Sequence, residues 1–212
     1  MQIYFKFFHS LYLYRMGLSI FQQIKDIDQA LFYQINGVWH HPILDAVLPW
    51  TRHSNNWIPL YIGLLGWLIY QVGWKTLKWL LFALINVGLT DQISSSVFKP
   101  FFHRLRPCND PALVGKTRLL LDHCSGGFSF TSSHAANHFG LAIFIFMTWG
   151  IAQKKYTKYF FVWAGIIAFA QIYVGVHYPL DIIGGTIIGL ISGFAMAKAY
   201  LKWAGPMLFK QA

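Results

Sequence analysis

The sequence of 212 residues contains no glutamate, and only 11% of its residues are charged. A soluble domain has roughly a quarter of its residues charged. Hydrophobic residues make up 56% of the chain and aromatic residues 18%. Apolar stretches recur at lengths of about 17–25 residues, which is the length that crosses a hydrocarbon core about 30 Å thick. This composition excludes a soluble globular protein and predicts an integral membrane protein.

Two further absences narrow the class of protein. The first 25 residues lack an uninterrupted apolar core and a small-residue cleavage site, so no cleavable signal peptide is predicted. Few acidic residues balance the basic ones, and the formal net charge is +10. Because the basic residues fall between apolar stretches and not along one soluble face, we do not predict a nucleic-acid partner. Membrane lipids are the expected surroundings.

The apolar pattern predicts an all-α, polytopic membrane helical bundle with five or six transmembrane spans. Residues 55–212 are expected to form its core, with five spans at about 57–74, 77–98, 135–152, 159–176 and 180–203. Residues 1–54 are expected to be an interfacial or partly spanning segment with an aromatic-rich, amphipathic start. Within that segment, residues 29–51 are apolar but interrupted by polar residues and prolines. They either cross as a kinked span or lie in the interface.

The charges of the connections predict the orientation. Connections 73–78 and 153–158 and the C-terminal tail contain lysines and no acidic residue, which is typical of the cytoplasmic side. If the five spans alternate, the long loop 99–134 and the short connection near 177–181 lie together on the opposite face. Loops of this length are often functional.

Three motifs lie at that face. They are KPFFHRLRP at 99–107, FTSSH at 130–134 and GVHYPLD at 175–181. They bring histidines, an aspartate, a lysine and several arginines to one side of the membrane. Displacement of a phosphoryl group depends mostly on positioning and on neutralising the charge of its equatorial oxygens. The motifs therefore predict phosphoryl chemistry.

The first two motifs contain the candidate phosphate-binding residues. Lys99 and Arg106 supply positive charge, and the planar guanidinium of Arg106 suits two phosphate oxygens. Ser132 and Ser133 precede a predicted helix, whose free N–H groups and dipole favour an anion.

The third motif contains the candidate nucleophile. Asp181 follows His177 by four residues, so its carboxylate can hold one ring nitrogen and leave the other free to attack. His134 is then the candidate general acid that protonates the leaving oxygen. We expect no cofactor and no metal, because no spacing in the chain is typical of metal ligands.

These motifs resemble those of the type 2 phosphatidic acid phosphatase family, whose patterns are K-x6-RP, PSGH and SR-x5-H-x3-D. The resemblance covers about residues 99–181 and implies a helical bundle in the membrane. It also implies that Lys99, Arg106 and Ser132 bind phosphate, that His134 is the acid, and that Asp181 activates a nucleophilic His177.

The chain departs from the family patterns in two places. Its second motif reads TSSH instead of PSGH, which keeps the helix-opening hydroxyl and the histidine. Its third motif has Ala-Gln at 170–171 in place of Ser-Arg, so one cation of the family is missing. Gln171 offers phosphate only neutral hydrogen bonds. We expect Arg104 or His103, both within the first motif, to compensate.

The resemblance implies a lipid phosphatase that releases inorganic phosphate from a lipid phosphomonoester or pyrophosphate. Candidate substrates are undecaprenyl pyrophosphate, phosphatidylglycerophosphate, phosphatidic acid and a lipid A phosphate. A lipid phosphotransferase that uses the same histidine, and a non-catalytic lipid-binding protein, are the alternatives. The expected location is a bacterial inner membrane, with the site on the periplasmic or outer side. An oxidising compartment there would favour a disulfide between the two cysteines, Cys108 and Cys124.

Overall fold

A computed structural model describes residues 19–210, which form helices and contain no β-strand. The predicted aromatic-rich start of the chain lies outside these residues. The helices are α1 (19–33), α2 (Pro42–Arg52), α3 (Ile58–Val72), α4 (Lys75–Gln92), α5 (Lys99–Phe102), α6 (Ser133–Thr148), α7 (Gly150–Thr157), α8 (Tyr159–Tyr173) and α9 (Pro179–Ala204). A π-helical segment, Gln34–Val38, follows α1, and a second, Ile93–Phe98, joins α4 to α5.

Two helical stretches in residues 19–210 are long and apolar enough to cross a membrane, Lys75–Leu113 and Pro179–Ala204. The predicted spans that correspond to α3, α6 and α8 are helices of only 15 or 16 residues. The all-helical class is therefore confirmed, while the number of five or six spans stays a prediction.

The helix boundaries differ from the expected ones at two places. The predicted span 135–152 is divided at Trp149, where α6 ends and α7 begins, and α7 occupies most of the expected connection 153–158. Segment 29–51 breaks just before Pro42, as its sequence predicted, but Pro49 lies inside α2 and does not end it. A proline removes one hydrogen bond from a helix interior, and the other bonds of α2 maintain the helix around Pro49.

Glycines allow α6 and α9 to pack closely. Gly185, Gly189 and Gly193 lie on one face of α9, and a methyl group on any of them would overlap backbone carbonyl oxygens of residues 132, 136 and 140. Isoleucines at 183, 187 and 191 occupy the opposite face of α9 and are 52–66% exposed. An exposed apolar face of this kind suits contact with lipid.

The N-terminal segment is joined to the rest of the molecule by a polar cluster. The fully buried Asn36 donates to the carbonyl oxygens of Arg118 (2.8 Å) and Tyr173 (2.7 Å) and accepts from the Arg118 N–H. Asp45 accepts from the guanidinium of Arg118 (2.7 Å) and from the hydroxyl of Tyr173 (2.6 Å). Arg118 is therefore a structural residue that joins the π-helical segment Gln34–Val38 and α2 to α8.

Candidate active site

The long loop is closed covalently. Cys108 and Cys124 form a disulfide with a Cα–Cα distance of 5.9 Å, so the predicted bond is confirmed. It connects the segment after Arg106 to the segment that leads into α6. The loop also contacts the α8–α9 junction, because Leu120 N–H donates to Val174 O (3.2 Å) and Ser132 N–H donates to Asp181 O (3.0 Å). The three motifs thereby meet at one end of the bundle.

The first turn of α9 positions Asp181. Pro179 begins the helix, and the backbone N–H of Tyr178 donates to Asp181 Oδ2 (2.8 Å). The same oxygen lies 3.3 Å from His177 Nδ1 and also accepts from the hydroxyl of Ser129. Asp181 is fully buried. Its carboxylate is thus fixed in place before it contacts the histidine.

The contacts of His177 define its tautomer. Arg106 Nη1 lies 3.1 Å from His177 Nε2. A guanidinium has no acceptor, so Nε2 must accept this hydrogen bond with its lone pair. The proton of a neutral ring is then on Nδ1, where it is donated to Asp181. This arrangement leaves Nε2 unprotonated and directed at Arg106.

The charge of His177 agrees with this assignment. The side chain is 3% exposed, and burial is the main reason that its pKa is lowered to about 4. The bond to Asp181 opposes the shift, while the charges of Arg106 and Lys99 add to it. The imidazole is therefore neutral near neutral pH.

Arg106 is held beside the nucleophile by backbone carbonyls. Its Nε donates to Gly127 O, its Nη2 to Gly126 O and its Nη1 to Val176 O, each at 3.2 Å. The guanidinium is buried and makes no ion pair in residues 19–210. A positive charge placed against a neutral histidine, with no carboxylate on it, favours an anion at this position.

Lys99 is the first residue of α5. Its Nζ donates to Ser133 Oγ (3.1 Å), which also lies 3.0 Å from Ser94 Oγ. Ser132 has a different position, because its buried hydroxyl accepts from Ala135 N–H (3.4 Å) and caps α6. The two serines of the second motif thus belong to different contacts.

His134, the predicted acid, is the second residue of α6 and is partly buried. It lies close enough to Arg52, Lys99 and His177 for their charges to act on it. Its backbone oxygen contacts His138 Nδ1 (2.8 Å), and the ring of His138 packs against Trp163. That His134 is the acid stays a prediction.

Arg104 contacts Asp181 from the opposite side of the carboxylate. Its Nη1 donates to Asp181 Oδ1 (2.8 Å), its Nη2 donates to Asp28 on α1, and its guanidinium lies 4.1 Å from the ring centre of Tyr178. Burial lowers the pKa of Arg104, but the two carboxylates more than offset this, so the pKa is raised overall. Arg104 is placed to position Asp181.

The two residues expected to replace the missing cation have other partners. Both terminal nitrogens of Arg104 are bound to carboxylates. The exposed His103 packs its ring against Phe128, with 4.6 Å between the ring centres. That either residue binds phosphate stays a prediction. At Gln171, the buried side chain accepts instead from Arg52 Nε (3.3 Å), at the end of α2.

Sequence reasoning missed four residues of this site: Asp28, Arg52, Ser94 and Ser129. Asp28 had a usable signal, since an acid is rare in this chain. It is one of seven and lies in an apolar helical segment beside exposed isoleucines. The other three have no such signal, because their role depends on how distant segments pack.

An apolar cavity of about 590 Å³ lies inside the helical bundle. It lies between α3, α4, α6 and α8 and is lined by leucines, other apolar residues and aromatic rings, with His138 and Asn137 on its wall. His138 lies one turn after His134, so one wall of the cavity is a helical turn away from the second motif. Its size and lining suit a hydrocarbon chain.

Comparison with known proteins identifies a family and several relatives that this chain resembles. A protein-family model described as "PAP2 superfamily" matches residues 76–204. The chain is 33% identical over 194 residues to a lipid A 4'-phosphatase of Porphyromonas gingivalis, a match that covers 87% of this chain and 79% of that protein. A lipid A 4'-phosphatase of Bacteroides thetaiotaomicron is also 33% identical, with 81% of this chain and 76% of that protein covered.

Two crystal structures share the fold. LpxE of Aquifex aeolicus superposes with a TM-score of 0.59 at 26% identity, over 80% of this chain and 94% of that one. A transmembrane PAP2-type phosphatidylglycerolphosphate phosphatase of Bacillus subtilis superposes with a TM-score of 0.60 over 92% and 96% of the two chains, at 23% identity. The latter likeness concerns the fold alone.

The chain belongs to the PAP2 superfamily. The family and the class of enzyme predicted from the sequence, a membrane phosphatase, are thereby confirmed.

Proposed function

We propose that this protein hydrolyses a phosphate ester on the headgroup of a membrane lipid through a phosphohistidine at His177. The observation that supports this most directly is the state of His177: Asp181 holds Nδ1, and the unprotonated Nε2 accepts a hydrogen bond from the guanidinium of Arg106. A nucleophile beside a buried cation suits attack on an anionic phosphorus centre.

In the first step, Nε2 attacks phosphorus and the bond from phosphorus to the lipid oxygen breaks. His134 donates a proton to that oxygen, and the lipid alcohol leaves. Lys99 and Arg106 balance the negative charge on the remaining phosphoryl oxygens. In the second step, a water gives a proton to His134 and attacks phosphorus, and inorganic phosphate leaves as His177 is regenerated. No step requires a metal ion.

The apolar cavity supports a lipid substrate. His138, on the wall of the cavity, lies one turn after His134, so an acyl chain of a substrate bound beside His177 and Arg106 would extend along α6 into the cavity. Burial of each CH₂ group contributes about 0.8 kcal/mol, which would favour long-chain substrates over water-soluble phosphate esters.

A lipid A phosphomonoester is the first substrate to test, because two relatives that cover most of the chain are lipid A 4'-phosphatases. Phosphatidylglycerophosphate, phosphatidic acid and undecaprenyl pyrophosphate complete the panel. We further propose that the site faces the periplasmic side of an inner membrane, since lysine-rich connections without acidic residues lie on the other face.

Release of inorganic phosphate from this panel, by full-length protein purified in detergent, tests the proposal. Wild-type protein should release phosphate from at least one lipid, in the presence of a chelator, and orthovanadate should inhibit it. His177→Ala should be inactive, and His123→Ala is the matched control because His123 is exposed on the long loop.

A radiolabelled phosphoenzyme that is stable in alkali and labile in acid should form on wild-type protein and be absent from His177→Ala. Loss of activity in a chelator would contradict the metal-independent mechanism. Transfer of label to a lipid alcohol without free phosphate would identify a phosphotransferase instead.

A further inference from the structure

The arginines of residues 19–210 fall into two groups by their partners. Arg104 and Arg118 form ion pairs with aspartates. Arg52 and Arg106 form none within these residues. A cation withdrawn from water is costly unless it is paired. An unpaired, partly buried cation is therefore expected only where the charge has a function. Arg106 has a proposed use in binding phosphate, whereas Arg52 belongs to no motif.

Arg52 lies next to the residue that replaces the missing cation of the third motif. It is the last residue of α2, it is partly buried, and its Nε donates to Gln171 Oε1 (3.3 Å). The backbone oxygen of Gln171 in turn accepts from the N–H groups of Val176 and His177, each at 3.2 Å. The guanidinium of Arg52 thus contacts the side chain of Gln171, whose backbone oxygen fixes the segment that contains His177.

The positive charges around this position repel one another. The charge of Arg106 acts on Arg52, and the charge of Arg52 acts on His134. The charge of Lys99 acts on both His134 and His177. Three cations without carboxylate partners therefore surround the place where His177 and His134 would meet the substrate. An anion bound between them removes the repulsion.

We infer that Arg52 is the third phosphate-binding cation of this site and replaces the arginine that the third motif lacks. Gln171 orients it: the bond from Nε to the amide oxygen leaves both terminal nitrogens of Arg52 available for phosphate oxygens. The third cation thus comes from α2 and not from α8. Gln171, at the position of the family's arginine, holds the guanidinium of Arg52 nearby. This inference rests on the proposed function, since it names a ligand of the same phosphate.

Orthovanadate binding to full-length protein in detergent tests the inference without turnover. The measurement is the dissociation constant, from the thermal stabilisation that vanadate gives each variant relative to that variant alone. Arg52→Gln should bind about ten- to hundred-fold more weakly, the range for loss of a charged hydrogen bond. Arg118→Gln is the matched control: it removes the other arginine that joins α2 to α8, and its affinity should stay within about two-fold of wild type.

The exchanged variant Arg52→Gln/Gln171→Arg separates charge from packing. It returns the cation to the third motif, so vanadate affinity should recover most of the loss. Gln171→Arg alone should bind no more tightly than wild type, because the site then contains a fourth crowded cation. A structural role for Arg52 predicts the reverse: no recovery in the exchanged variant, and equal behaviour of Arg52→Gln and Arg118→Gln.

Wild-type affinity in Arg52→Gln, or no vanadate binding by wild-type protein, would overturn the inference. Failure of the proposed function has another signature. If vanadate binds and Arg52→Gln lowers its affinity, but no lipid phosphate is hydrolysed, then Arg52 does bind the anion and the assigned reaction is wrong. If phosphate is released and vanadate affinity does not depend on Arg52, the reaction stands and this inference fails.

Discussion

Residues 19–54 supply carboxylates that pair with arginines of residues 76–204, together with one further cation, Arg52. The family-matched region 76–204 contains the proposed nucleophile, acid and two phosphate-binding cations. The N-terminal segment contributes Asp28 and Asp45, which bind arginines of the long loop, and Arg52, which reaches Gln171. The motif region supplies the chemistry, and the segment before it determines which arginines are paired.

This division explains the charge balance of the site. The two N-terminal aspartates bind Arg104 and Arg118, so these two guanidinium groups are compensated. Lys99, Arg106 and Arg52 are left for an anion. A chain with seven acidic residues and 17 lysines and arginines cannot neutralise all its cations, and three of its aspartates, Asp28, Asp45 and Asp181, pair with Arg104 or Arg118.

The largest effect is expected inside the motif region. His177→Ala should lower kcat by a factor of roughly 10⁴ or more, as removal of a nucleophile does in other hydrolases. Asp181→Asn should lower kcat by roughly 10²–10⁴, because an amide does not hold the Nδ1–H tautomer in the same way. Phosphate release on the preferred lipid measures both. Wild-type turnover by His177→Ala would refute the mechanism.

A smaller effect is expected for Asp28, the N-terminal aspartate that shares Arg104 with Asp181. Asp28→Asn leaves Arg104 with Asp181 as its only carboxylate, so Arg104 should compete with His177 for it. We expect kcat to fall about ten-fold and the unfolding free energy to fall by roughly 1–3 kcal/mol, below the cost of breaking a fully buried pair because Arg104 is partly exposed.

Asp26→Asn provides a matched control for Asp28→Asn. Asp26 lies on the same helix but is exposed and accepts only from Gln22 (2.7 Å) among the described contacts. It should behave as wild type. If the two variants cannot be told apart in kcat and in thermal stability, the N-terminal segment has no influence on the catalytic carboxylate.

The long loop and the N-terminal segment also differ in how they are fastened, one by a covalent bond and one by hydrogen bonds. Cys108→Ser/Cys124→Ser should lower the unfolding free energy by about 3 kcal/mol, the chain-entropy value for a loop of this length. The segments before Ser129 and after Arg106 should then no longer be held in a fixed relative position, and kcat should fall several-fold. Thermal unfolding with and without reductant measures the first effect, and equal stability in both conditions would contradict it.

Labelling of the same cysteines tests the orientation of the loop. After reduction, a membrane-impermeant thiol reagent added to intact spheroplasts should label the wild-type protein but not the Cys108→Ser/Cys124→Ser variant. Labelling only after lysis would place the loop in the cytoplasm and invert the proposed topology.

Much of the catalytic centre was predictable because its signals are local. The four-residue spacing of His177 and Asp181, the glycines of α9 and the cysteine pair each report a contact made by neighbouring or regularly spaced residues. Arg52 was not predictable, because it is 119 residues from its partner Gln171 and lies in no periodic pattern. The contact of Arg104 with Asp28 was not predictable either, because Asp28 lies outside the motifs.

The smallest catalytic effect is expected where the N-terminal segment is fastened far from the phosphate. Asn36→Ala removes three hydrogen bonds of a fully buried amide and leaves the backbone N–H of Arg118 and two carbonyl oxygens without it. Each unsatisfied buried group costs about 1–3 kcal/mol before relaxation. The unfolding free energy should therefore fall by roughly 2 kcal/mol or more, while kcat at a temperature well below the midpoint should stay within about three-fold of wild type. Thermal unfolding and phosphate release on one preparation measure both quantities. Asn36 contacts neither Arg52 nor Asp28 directly, so a loss of kcat as large as that of Asp28→Asn would show that the site depends on the docking of the whole segment and not on the individual charges it supplies.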